Sequence, residues 1–486
     1  MNLKSLLASE APVPASASEV MISGLTADSR QVAPGFVFSA LSGTQVDGAR
    51  FVPQAVEHGA VAILAGEDAV FEAPQHVTVV RTRDPRRTLA RLAARFYGAQ
   101  PETTVAITGT SGKTSVVDFT RQIFSRLGHA AASLGTIGVV LPSGAEYGSL
   151  TTPDPVALHA SLAQMSRDGV THLAFEASSH GLEQRRLDGV ELVAGAFTNL
   201  GHDHLDYHPS VEAYMAAKLR LFDTLLTPGD SAVINADGAR SDDVVAIARE
   251  RGLQIMTTGQ AGDTLRLKGA RQDGFAQLLE IEHAGRTFEV HLPLIGIYQA
   301  SNALLAAGLV LAVGEQVDAV IATLEGLKGV KGRLEVVGET SGAIAVVDYA
   351  HKPDALIAVL DALRPFASGR LICVVGCGGD RDQEKRPMMG RIASQKADMV
   401  IVTDDNPRTE DPAAIRAAIL AAAPDAREIG DRAEAIATGV AELGPGDVLV
   451  VAGKGHEPGQ IIGERTIPFS DHDAIAAAIA GEAYNA

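Results

Sequence analysis

The sequence is poor in cysteine, and this scarcity excludes several classes of protein. Cys373 and Cys377 are the only cysteines among the 486 residues. They lie four positions apart at the end of a strand-like run, a spacing that fits neither a metal knuckle nor a disulfide framework. We therefore expect reduced thiols and a cytoplasmic protein.

Long apolar runs and an excess of positive charge are also missing. No segment approaches the roughly 18 uncharged apolar residues of a membrane span, and the N-terminal stretch MNLKSLLASEAPVPASASEV lacks the apolar core of a signal peptide. The net charge of −18 opposes sequence-independent binding to nucleic acids or to anionic membranes. We expect the protein to bind neither nucleic acid nor membranes. Any anionic substrate must then be bound by basic residues close to the site.

The chain does contain a regular alternation of two patterns. Strand-like runs are separated by Ala-rich helical stretches, and most runs end in a glycine or polar cluster, as in parallel α/β sheets. The runs are TTVAIT, HLAFE, GAFTN, SAVIN, AIAVV, LICVV, MVIVT and DVLVVAG. Because open α/β sheets bind ligands beyond the carboxyl ends of their strands, the polar clusters predict one composite site or two facing sites.

Residues Thr103 to Ser115, TTVAITGTSGKTS, are typical of a loop that binds a nucleotide triphosphate. Glycines let backbone N–H groups surround phosphate oxygens, and an apolar-periodic helix follows. Lys113 supplies a charge to the β- and γ-phosphates, and the Thr114 hydroxyl can bind Mg²⁺. The strict P-loop pattern has glycine where Ile107 stands. The loop is therefore a shortened form, TGTxGKT, which still fits ATP but occurs in fewer protein families. The alternative is a glycine-rich turn with a surface lysine.

A second cluster follows a later strand, where Asn199 to Asp206 reads NLGHDHLD and holds two imidazoles and two carboxylates. Together with Glu176, these groups are candidate Mg²⁺ ligands or neighbours of the ATP phosphates, because Mg²⁺ prefers oxygen ligands. The alternative is a hydrogen-bonded loop whose histidines are merely exposed.

Two further segments of the central region have more than one interpretation. The segment from Ser178 to Arg186 is rich in polar side chains that can bind a phosphorylated or carboxylated substrate. Arg186 is the residue that we favour as the ligand of the substrate anion. An exposed helix start explains the serines of this segment equally well. Lys218 lies near the apolar face of a helix, so it is not plainly a solvated lysine, and the residues alone leave its role open.

Three charged clusters follow strand-like runs near the end of the chain. Arg381 lies in GDRDQEKRP, Asp405 to Arg408 read DNPR, and Gly453 to Glu457 read GKGHE. An arginine fixed by an Asn-Pro turn suits a carboxylate, and Glu457 offers an anion to an ammonium group. These pieces predict a site for an amino acid with an additional charged end. The alternatives are a surface salt-bridge network for the first cluster and plain turns for the others.

The combined motifs resemble the Mur ligases of bacterial cell-wall synthesis over nearly the whole chain. The motifs are TGTSGKTS, EASSHGL, NLGHDHLDYH, AYMAAKLRLF, GRLE, DYAHKPD, GCGGDRDQEKRP, DDNPR and GKGHE. The resemblance implies an α/β fold of three domains. These are a small α/β UDP-binding domain at 1–100, a central P-loop-like ATPase with a mostly parallel sheet at 101–332, and a C-terminal Rossmann-like domain at 333–486 that binds the amino acid.

The resemblance also implies roles for individual residues. ATP would be bound by Gly109, Thr110, Ser111, Gly112, Lys113, Thr114, Ser115, Asn302, Arg333 and Asp348. The UDP substrate would be bound at its uridine nucleotide by Ser29, Thr44, Gln45 and Val46, and at its muramoyl dipeptide by Thr151, Thr152, Ser178, Gln184 and Arg186. Diaminopimelate would be bound by Arg381, Asp405, Asn406, Pro407, Arg408, Gly453 and Glu457. The metal would be bound by Thr114, Glu176, His204 and Lys218, the last as a carbamate, and the catalytic groups would be Lys113, Lys218, His204 and Glu176.

The implied reaction joins meso-2,6-diaminopimelate to UDP-N-acetylmuramoyl-L-alanyl-D-glutamate. ATP first converts the γ-carboxylate of D-glutamate to an acyl phosphate, with Mg²⁺ as the cofactor. In the family an arginine ending DNPR accompanies diaminopimelate, and members that use L-lysine generally depart from it. The loop Thr44 to Val46 differs from other members, which puts its nucleotide contacts in question. We expect a monomeric enzyme.

Two other functions fit part of the sequence. A ligase similar to folylpolyglutamate synthase would share the shortened phosphate loop, but it should lack the first hundred residues and the DNPR pocket. A regulatory module in which ATP only switches conformation would leave the charged clusters of the last third without a role.

Overall fold

The computed structural model describes residues 1–12, 14–43, 46–146, 151–201, 203–204 and 207–484. The strands are β1 (Gly24–Thr26), β2 (Phe36–Ala40), β3 (Ala62–Gly66), β4 (Thr78–Thr82), β5 (Thr103–Thr108), β6 (Ala131–Gly135), β7 (Gly138–Leu141), β8 (Gly144–Glu146), β9 (His172–Glu176), β10 (Ala194–Phe197), β11 (Ser231–Asn235), β12 (Gln254–Gly259), β13 (Leu265–Asp273), β14 (Ala276–His283), β15 (Arg286–Leu292), β16 (Glu335–Thr340), β17 (Ala343–Asp348), β18 (Leu371–Val375), β19 (Met399–Val402), β20 (Arg427–Glu428), β21 (Val448–Ala452), β22 (Gly459–Ile462) and β23 (Arg465–Pro468).

Helices alternate with most of these strands. They are α1 (Leu3–Leu7), α2 (Val52–Glu57), α3 (Pro85–Tyr97), α4 (Lys113–Arg126), α5 (Pro155–Arg167), α6 (Ser179–Glu183), α7 (Val211–Arg220), α8 (Ser241–Glu250), α9 (Ile297–Ala312), α10 (Val317–Thr323), α11 (Pro353–Leu363), α12 (Lys385–Lys396), α13 (Pro412–Leu420), α14 (Arg432–Ala441) and α15 (Asp471–Ala480). In the described part of the chain, no helix is long and apolar enough to cross a bilayer.

All eight strand-like runs found in the sequence are strands in the structure, namely β5, β9, β10, β11, β17, β18, β19 and β21. The predicted α/β class with mostly parallel sheets is therefore confirmed. Each run is short, apolar and followed by glycine or a polar residue, and these features favour a buried strand over a helix.

The chain divides into two compact units. Unit 1 contains Met1–Thr264 and Leu305–Val320, and unit 2 contains Leu265–Leu304 and Ile321–Ala486. The predicted domain boundaries at 100/101 and 332/333 are not tested by this division and stay predictions.

Unit 1 contains two sheets. Near the N-terminus, β1, β2, β3 and β4 form a parallel sheet in that order. In the larger sheet, the strand order β12-β11-β10-β5-β9-β6 is parallel throughout, and β7 and β8 continue it as antiparallel strands. Its parallel strands other than β12 are largely buried on both faces, as helices packed on each side require. The carboxyl ends of β5, β9, β10 and β11 consequently meet at one edge.

Unit 2 contains a six-stranded sheet in the order β16-β17-β21-β18-β19-β20, in which only the edge strand β16 is antiparallel. Unit 2 also contains the antiparallel strands β13, β14 and β15 and a hairpin formed by β22 and β23. Because β17, β18, β19 and β21 are parallel neighbours, the polar residues that follow them lie at one edge of the sheet.

The two cysteines are buried in unit 2. Cys373 lies inside β18, and Cys377 follows that strand. Burial raises the pKa of the Cys373 thiol to about 12 and that of Cys377 to about 11. Both thiols are therefore protonated near neutral pH.

A fully buried ion pair connects α14 to α15 in unit 2. Arg432 donates from Nε to Asp471 Oδ1 over 2.7 Å and from Nη2 to Oδ2 over 2.8 Å, and neither side chain is exposed. The Arg432 guanidinium also donates to the carbonyl of Ala452, the last residue of β21. The pair therefore joins both helices to a central strand.

We expect Asp471→Ala to lower the free energy of unfolding by about 3–5 kcal/mol, because it removes the hydrogen-bonded counter-charge of a buried guanidinium. Asp361→Ala is the matched control, since it breaks the partly exposed Lys396–Asp361 pair and should cost at most about 1 kcal/mol. Chemical denaturation of both variants measures the difference. Equal, small losses would show that the buried pair contributes little.

Candidate functional site

The phosphate loop of unit 1 requires glycine at its first position. Gly109 follows β5 with φ of 142°, and a Cβ atom there would lie 1.8 Å from Thr198 Oγ1. Gly112 has φ of 87° and precedes the first residue of α4, where it offers no side chain to cap the helix. The N–H groups of the first turn are thus directed at the loop, an arrangement that suits phosphate oxygens.

Two lysines meet at a single carbonyl of this loop. Lys113 Nζ donates to Gly109 O over 3.0 Å and to Thr110 O over 2.9 Å, and Lys218 Nζ donates to Gly109 O over 2.7 Å. Burial and the neighbouring Lys113 charge hold the pKa of Lys218 well below its ordinary value, although Asp203 acts in the opposite direction. Lys218 is 1% exposed, so it is a buried lysine, and its role as a carbamate stays a prediction.

Tyr214 contacts both Lys218 and the loop. The Lys218 ammonium stands 4.1 Å from the centre of the Tyr214 ring, and the phenol oxygen lies 3.2 Å from Thr110 Oγ1. Burial raises the pKa of Tyr214 to about 12. The side chain is therefore neutral and spans from the lysine to the phosphate loop.

Glu176, at the end of β9, is almost fully buried and is surrounded by hydroxyl and amide donors. Its Oε1 accepts from Thr114 Oγ1 over 3.0 Å and from the N–H of Thr136 over 2.7 Å, and its Oε2 accepts from Thr136 Oγ1 over 3.1 Å. The Thr114 hydroxyl and a carboxylate are thus adjacent oxygen donors beside the loop. Mg²⁺ is commonly bound by one or two carboxylates together with substrate phosphates, so this donor set fits the ion.

The histidine cluster after β10 is described in part. His202, Leu205 and Asp206 lie outside the described residues. His204 adopts φ of 53°, its Nε2 lies 3.5 Å from Asp203 Oδ2, and its ring packs edge-on against His180 at 4.8 Å. Among the described residues, no group of three or more His, Cys, Asp or Glu side chains is arranged to hold a metal ion. The metal role of His204 stays a prediction.

The residues predicted to bind the muramoyl dipeptide form one connected network. Thr152 Oγ1 donates to the carbonyl of Glu176 over 2.9 Å and contacts Ser178 Oγ at 2.9 Å. Arg186 donates to Thr152 O over 2.5 Å and to Gln184 Oε1 over 2.8 Å. Burial lowers the pKa of Arg186, although Asp154 opposes this effect. In the same network, Thr151 Oγ1 lies 3.1 Å from Thr136 Oγ1.

The residues predicted to bind uridine are only partly described. Ser29 is buried, its hydroxyl donates to Gln54 Oε1 over 2.8 Å, and its carbonyl lies 3.0 Å from His58 Nδ1. Val46 is exposed, and Thr44 and Gln45 lie outside the described residues. Their nucleotide contacts stay predictions.

The other three predicted nucleotide residues lie in unit 2 and share neighbours. Asn302 Nδ2 donates to Gln299 Oε1 over 2.9 Å, and Gln299 in turn donates to Arg333 O over 3.4 Å. The Arg333 guanidinium lies 4.7 Å from the centre of the Tyr349 ring. Asp348, at the end of β17, accepts from the N–H groups of two loop residues, and burial raises its pKa to about 6 despite Arg333 and those two bonds.

The predicted amino-acid pocket of unit 2 is formed by the residues that follow β19 and β21. Asn406 Nδ2 donates to Glu457 Oε2 over 2.9 Å, and Gly453, with φ of 117°, leaves room for Asp405 because a Cβ atom would lie 2.7 Å from Asp405 Oδ2. Burial raises the pKa of Asp405, although Arg432 and Lys454 oppose this effect. Burial by itself would also raise the pKa of Glu457, but Lys454 and Asn406 lower it below its ordinary value.

Arg408 is held in an uncommon conformation beside this pocket. It adopts φ of 53°, its Nη1 donates to Gly379 O over 2.8 Å, and its N–H donates to Ile461 O over 3.0 Å. Pro407 precedes it and is buried, and Arg381 is exposed after β18. The turn thus fixes the Arg408 guanidinium next to the loop that contains Arg381.

Several residues of these clusters were not singled out from the sequence. They are Thr136, Tyr207, Tyr214, Arg432 and Lys454. Tyr207 accepts from Gln184 Nε2 over 3.0 Å, and Lys454 contacts Asp405, Asn406 and Glu457. A signal existed for Lys454, which lies between two glycines directly after a buried strand, but such a lysine also fits an exposed turn.

Three family models match successive parts of the chain. They are described as "Mur ligase family, catalytic domain" at residues 21–97, "Mur ligase middle domain" at 107–310, and "Mur ligase, glutamate ligase domain" at 332–455. The chain is 55% identical to a Bradyrhizobium diazoefficiens protein named UDP-N-acetylmuramoyl-L-alanyl-D-glutamate--2,6-diaminopimelate ligase, over 99% of both chains. It is 56% identical to a Rhizobium meliloti protein of the same name, over 96% of both chains.

Solved structures agree with these matches. A structure of a UDP-N-acetylmuramoyl-L-alanyl-D-glutamate--2,6-diaminopimelate ligase has a TM-score of 0.74 and 31% identity, with 99% of both chains covered. A Mycobacterium tuberculosis folylpolyglutamate synthase has a TM-score of 0.64 at 18% identity, covering 81% of this chain and 94% of its own, and shares the fold alone. The identity over the full length distinguishes these two families, and the chain belongs to the Mur ligase family.

Proposed function

We propose that the protein is the ATP-dependent ligase that joins meso-2,6-diaminopimelate to the D-glutamate γ-carboxylate of UDP-N-acetylmuramoyl-L-alanyl-D-glutamate, a step of peptidoglycan precursor synthesis. The observation that carries the proposal is the full-length identity above 50% to relatives named for this reaction. Each substrate has its own binding region. The phosphate loop would bind ATP, the network that joins Thr152 to Arg186 would bind the UDP-muramoyl dipeptide, and the amino-acid pocket would bind diaminopimelate.

Activation of the γ-carboxylate is assigned to the phosphate loop. Amide formation from a carboxylate and an ammonium is unfavourable in water, so ATP must first convert the carboxylate to an acyl phosphate. Lys113 moves its ammonium from the loop carbonyls to the β- and γ-phosphates, and the N–H groups of the first turn of α4 bind phosphate oxygens. Bound Mg²⁺ adds positive charge at the phosphoryl group, and Thr114 and Glu176 would hold it.

Lys218 is assigned to the same region as a carbamate. Its lowered pKa increases the fraction of neutral amine at a given pH relative to an exposed lysine, and only the neutral amine attacks CO₂, which forms a carbamate and releases one proton. The product is an anion in place of a cation beside Lys113. This change replaces repulsion between two ammonium groups with attraction and adds oxygen donors of the kind that Mg²⁺ prefers.

The amino acid is assigned to the loops after β18, β19 and β21. Arg408 and Arg381 would bind carboxylates, and Glu457 would bind an ammonium group. Diaminopimelate differs from lysine by one carboxylate, so an arginine fixed by the DNPR turn favours diaminopimelate. No side-chain nucleophile is required, because the amine attacks the acyl phosphate directly and phosphate leaves.

We further propose that the protein acts in the cytoplasm as a monomer. ATP and nucleotide-linked substrates are supplied there, and the two buried cysteines need no oxidising compartment.

Phosphate release from ATP, Mg²⁺ and the UDP-muramoyl dipeptide tests the proposal when either meso-diaminopimelate or L-lysine is added. We expect phosphate release when meso-diaminopimelate is added and none when L-lysine is added. Lys113→Ala is the negative control and should lose at least about 100-fold in rate, because it removes a charge that stabilises the transferred phosphoryl group. Preference for L-lysine would refute the assigned amino acid, and amine-independent turnover would refute the ligase.

We expect Arg408→Ala to raise the KM for diaminopimelate by roughly 10- to 100-fold, because a charge-assisted contact to a carboxylate is lost. The KM for ATP should change less than about twofold. Steady-state kinetics with each substrate varied in turn provide the measurement. Unchanged diaminopimelate kinetics would mean that the carboxylate binds elsewhere.

We expect ¹³C-bicarbonate to give a carbamate NMR signal in the wild-type protein that is absent from Lys218→Gln. Lowering the pH should remove the signal, because protonation of the amine competes with carbamate formation and the lowered pKa shifts this competition to lower pH than for an exposed lysine. Lys396→Gln, which changes a partly exposed lysine, is the control and should retain the signal. A signal that persists in Lys218→Gln would assign the carbamate to another lysine.

A further inference from the structure

Lys454 is a completely buried lysine beneath the amino-acid pocket. It follows β21 between Gly453 and Gly455, and its side chain is 0% exposed. Its Nζ donates to Asn406 Oδ1 over 3.0 Å and to Glu457 Oε2 over 3.0 Å. Lysines are almost never fully buried unless they are paired, so these two contacts account for its position.

The contacts of Lys454 fix the orientation of the Asn406 amide. Asn406 Oδ1 accepts from Lys454 Nζ and from the N–H of Ile461 at 2.9 Å, so this atom must be the oxygen of the amide. The amide nitrogen is consequently the atom that donates to Glu457 Oε2 over 2.9 Å. Lys454 thus acts on Glu457 twice, once directly and once through Asn406.

The same contacts leave one oxygen of Glu457 for a ligand. Oε2 accepts from both Lys454 and Asn406, whereas no donor to Oε1 is found among the described residues. The Glu457 side chain is 32% exposed, in contrast to the lysine below it. A carboxylate that is held at one oxygen and open at the other suits a substrate ammonium.

Lys454 also balances charge in the lower part of the pocket. Its Nζ lies 3.9 Å from Asp405 Oδ1, and the negative charges of Asp405 and Glu457 repel each other. Arg432 is the other buried cation near Asp405, but it already pairs with Asp471. Arg432 and Lys454 both favour the ionised form of Asp405, and Lys454 also donates directly to Glu457, so it supports both carboxylates where they lie close together.

We propose that Lys454 is a positioning residue that sets the affinity for the amino-acid substrate by holding the Glu457 carboxylate and the Asn406 amide, without touching the substrate. The proposal rests on the proposed function, since it specifies how the amino-acid pocket is organised. In this role, the lysine of GKGHE supports the carboxylate that binds the substrate ammonium, and it does not belong to a solvated turn.

The test is the kinetics of Lys454→Met, which keeps the length and apolar packing of the side chain and removes its charge. We expect the KM for diaminopimelate to rise roughly 10- to 100-fold, because a hydrogen-bonded ionic contact below the pocket is lost. The kcat at saturating diaminopimelate should fall less than about threefold, and the KM values for ATP and the UDP-dipeptide should change less than about twofold. Lys396→Met, which changes a partly exposed lysine of the same unit, should leave all four values unchanged.

A selective rise in the diaminopimelate KM supports a positioning role. An unchanged diaminopimelate KM, or an equal rise in all three KM values, overturns it, because the second result would indicate general loss of structure. If the wild-type protein shows no amine-dependent phosphate release, the proposed function fails instead.

A second variant covers the case in which Lys454→Met does not fold. Lys454→Met/Glu457→Gln removes the carboxylate that would be left without a counter-charge. Its diaminopimelate KM should lie within about threefold of that of Glu457→Gln alone, because the direct contact of Lys454 and its contact through Asn406 both act on the Glu457 carboxylate, and groups that act as a unit are not additive. A KM at least tenfold above Glu457→Gln would show that Lys454 acts through another group, and this result also overturns the proposal.

Discussion

Buried charges in this protein are stabilised by specific neighbours, and the arrangement of every binding region depends on these pairings. An ion removed from water is costly unless it is paired or hydrogen-bonded. Lys218 meets this requirement with a loop carbonyl, Glu176 with hydroxyl and amide donors, and Lys454 with Asn406 and Glu457. Each pairing fixes a side chain that would otherwise sample several rotamers, and thereby preorganises the site before any substrate binds.

Parallel strands provide the geometry for these pairings. In unit 2 the groups that follow β19 and β21 are distant in sequence, yet the two strands end at one edge and place Asn406 within 2.9 Å of Glu457. In unit 1 the end of β5 carries the phosphate loop and the end of β9 carries Glu176, which meets Thr114 across adjacent strands. Sheet topology therefore determines which functional groups become neighbours.

The sequence predicts this topology better than it predicts the partners of individual side chains. The eight apolar runs with polar ends were sufficient to locate the strands that carry the clusters. They do not reveal that Lys113 and Lys218 donate to the same carbonyl, because that contact spans 109 positions and depends on the packing of α7. The buried state of Lys454 was equally inaccessible, since a lysine between two glycines has the same local pattern in an exposed turn. Local sequence reports secondary structure, whereas burial and pairing arise from contacts between distant segments.

The burial of Cys373 and Cys377 has a practical consequence for labelling. Thiol reagents react with the thiolate, and both cysteines are protonated and inaccessible in the folded protein. A cysteine introduced at an exposed position would therefore be the site that reacts with a maleimide dye under native conditions, without removal of the natural cysteines. The absence of tryptophan adds a second advantage, because a single introduced indole would report its own surroundings by fluorescence against a background of tyrosine alone.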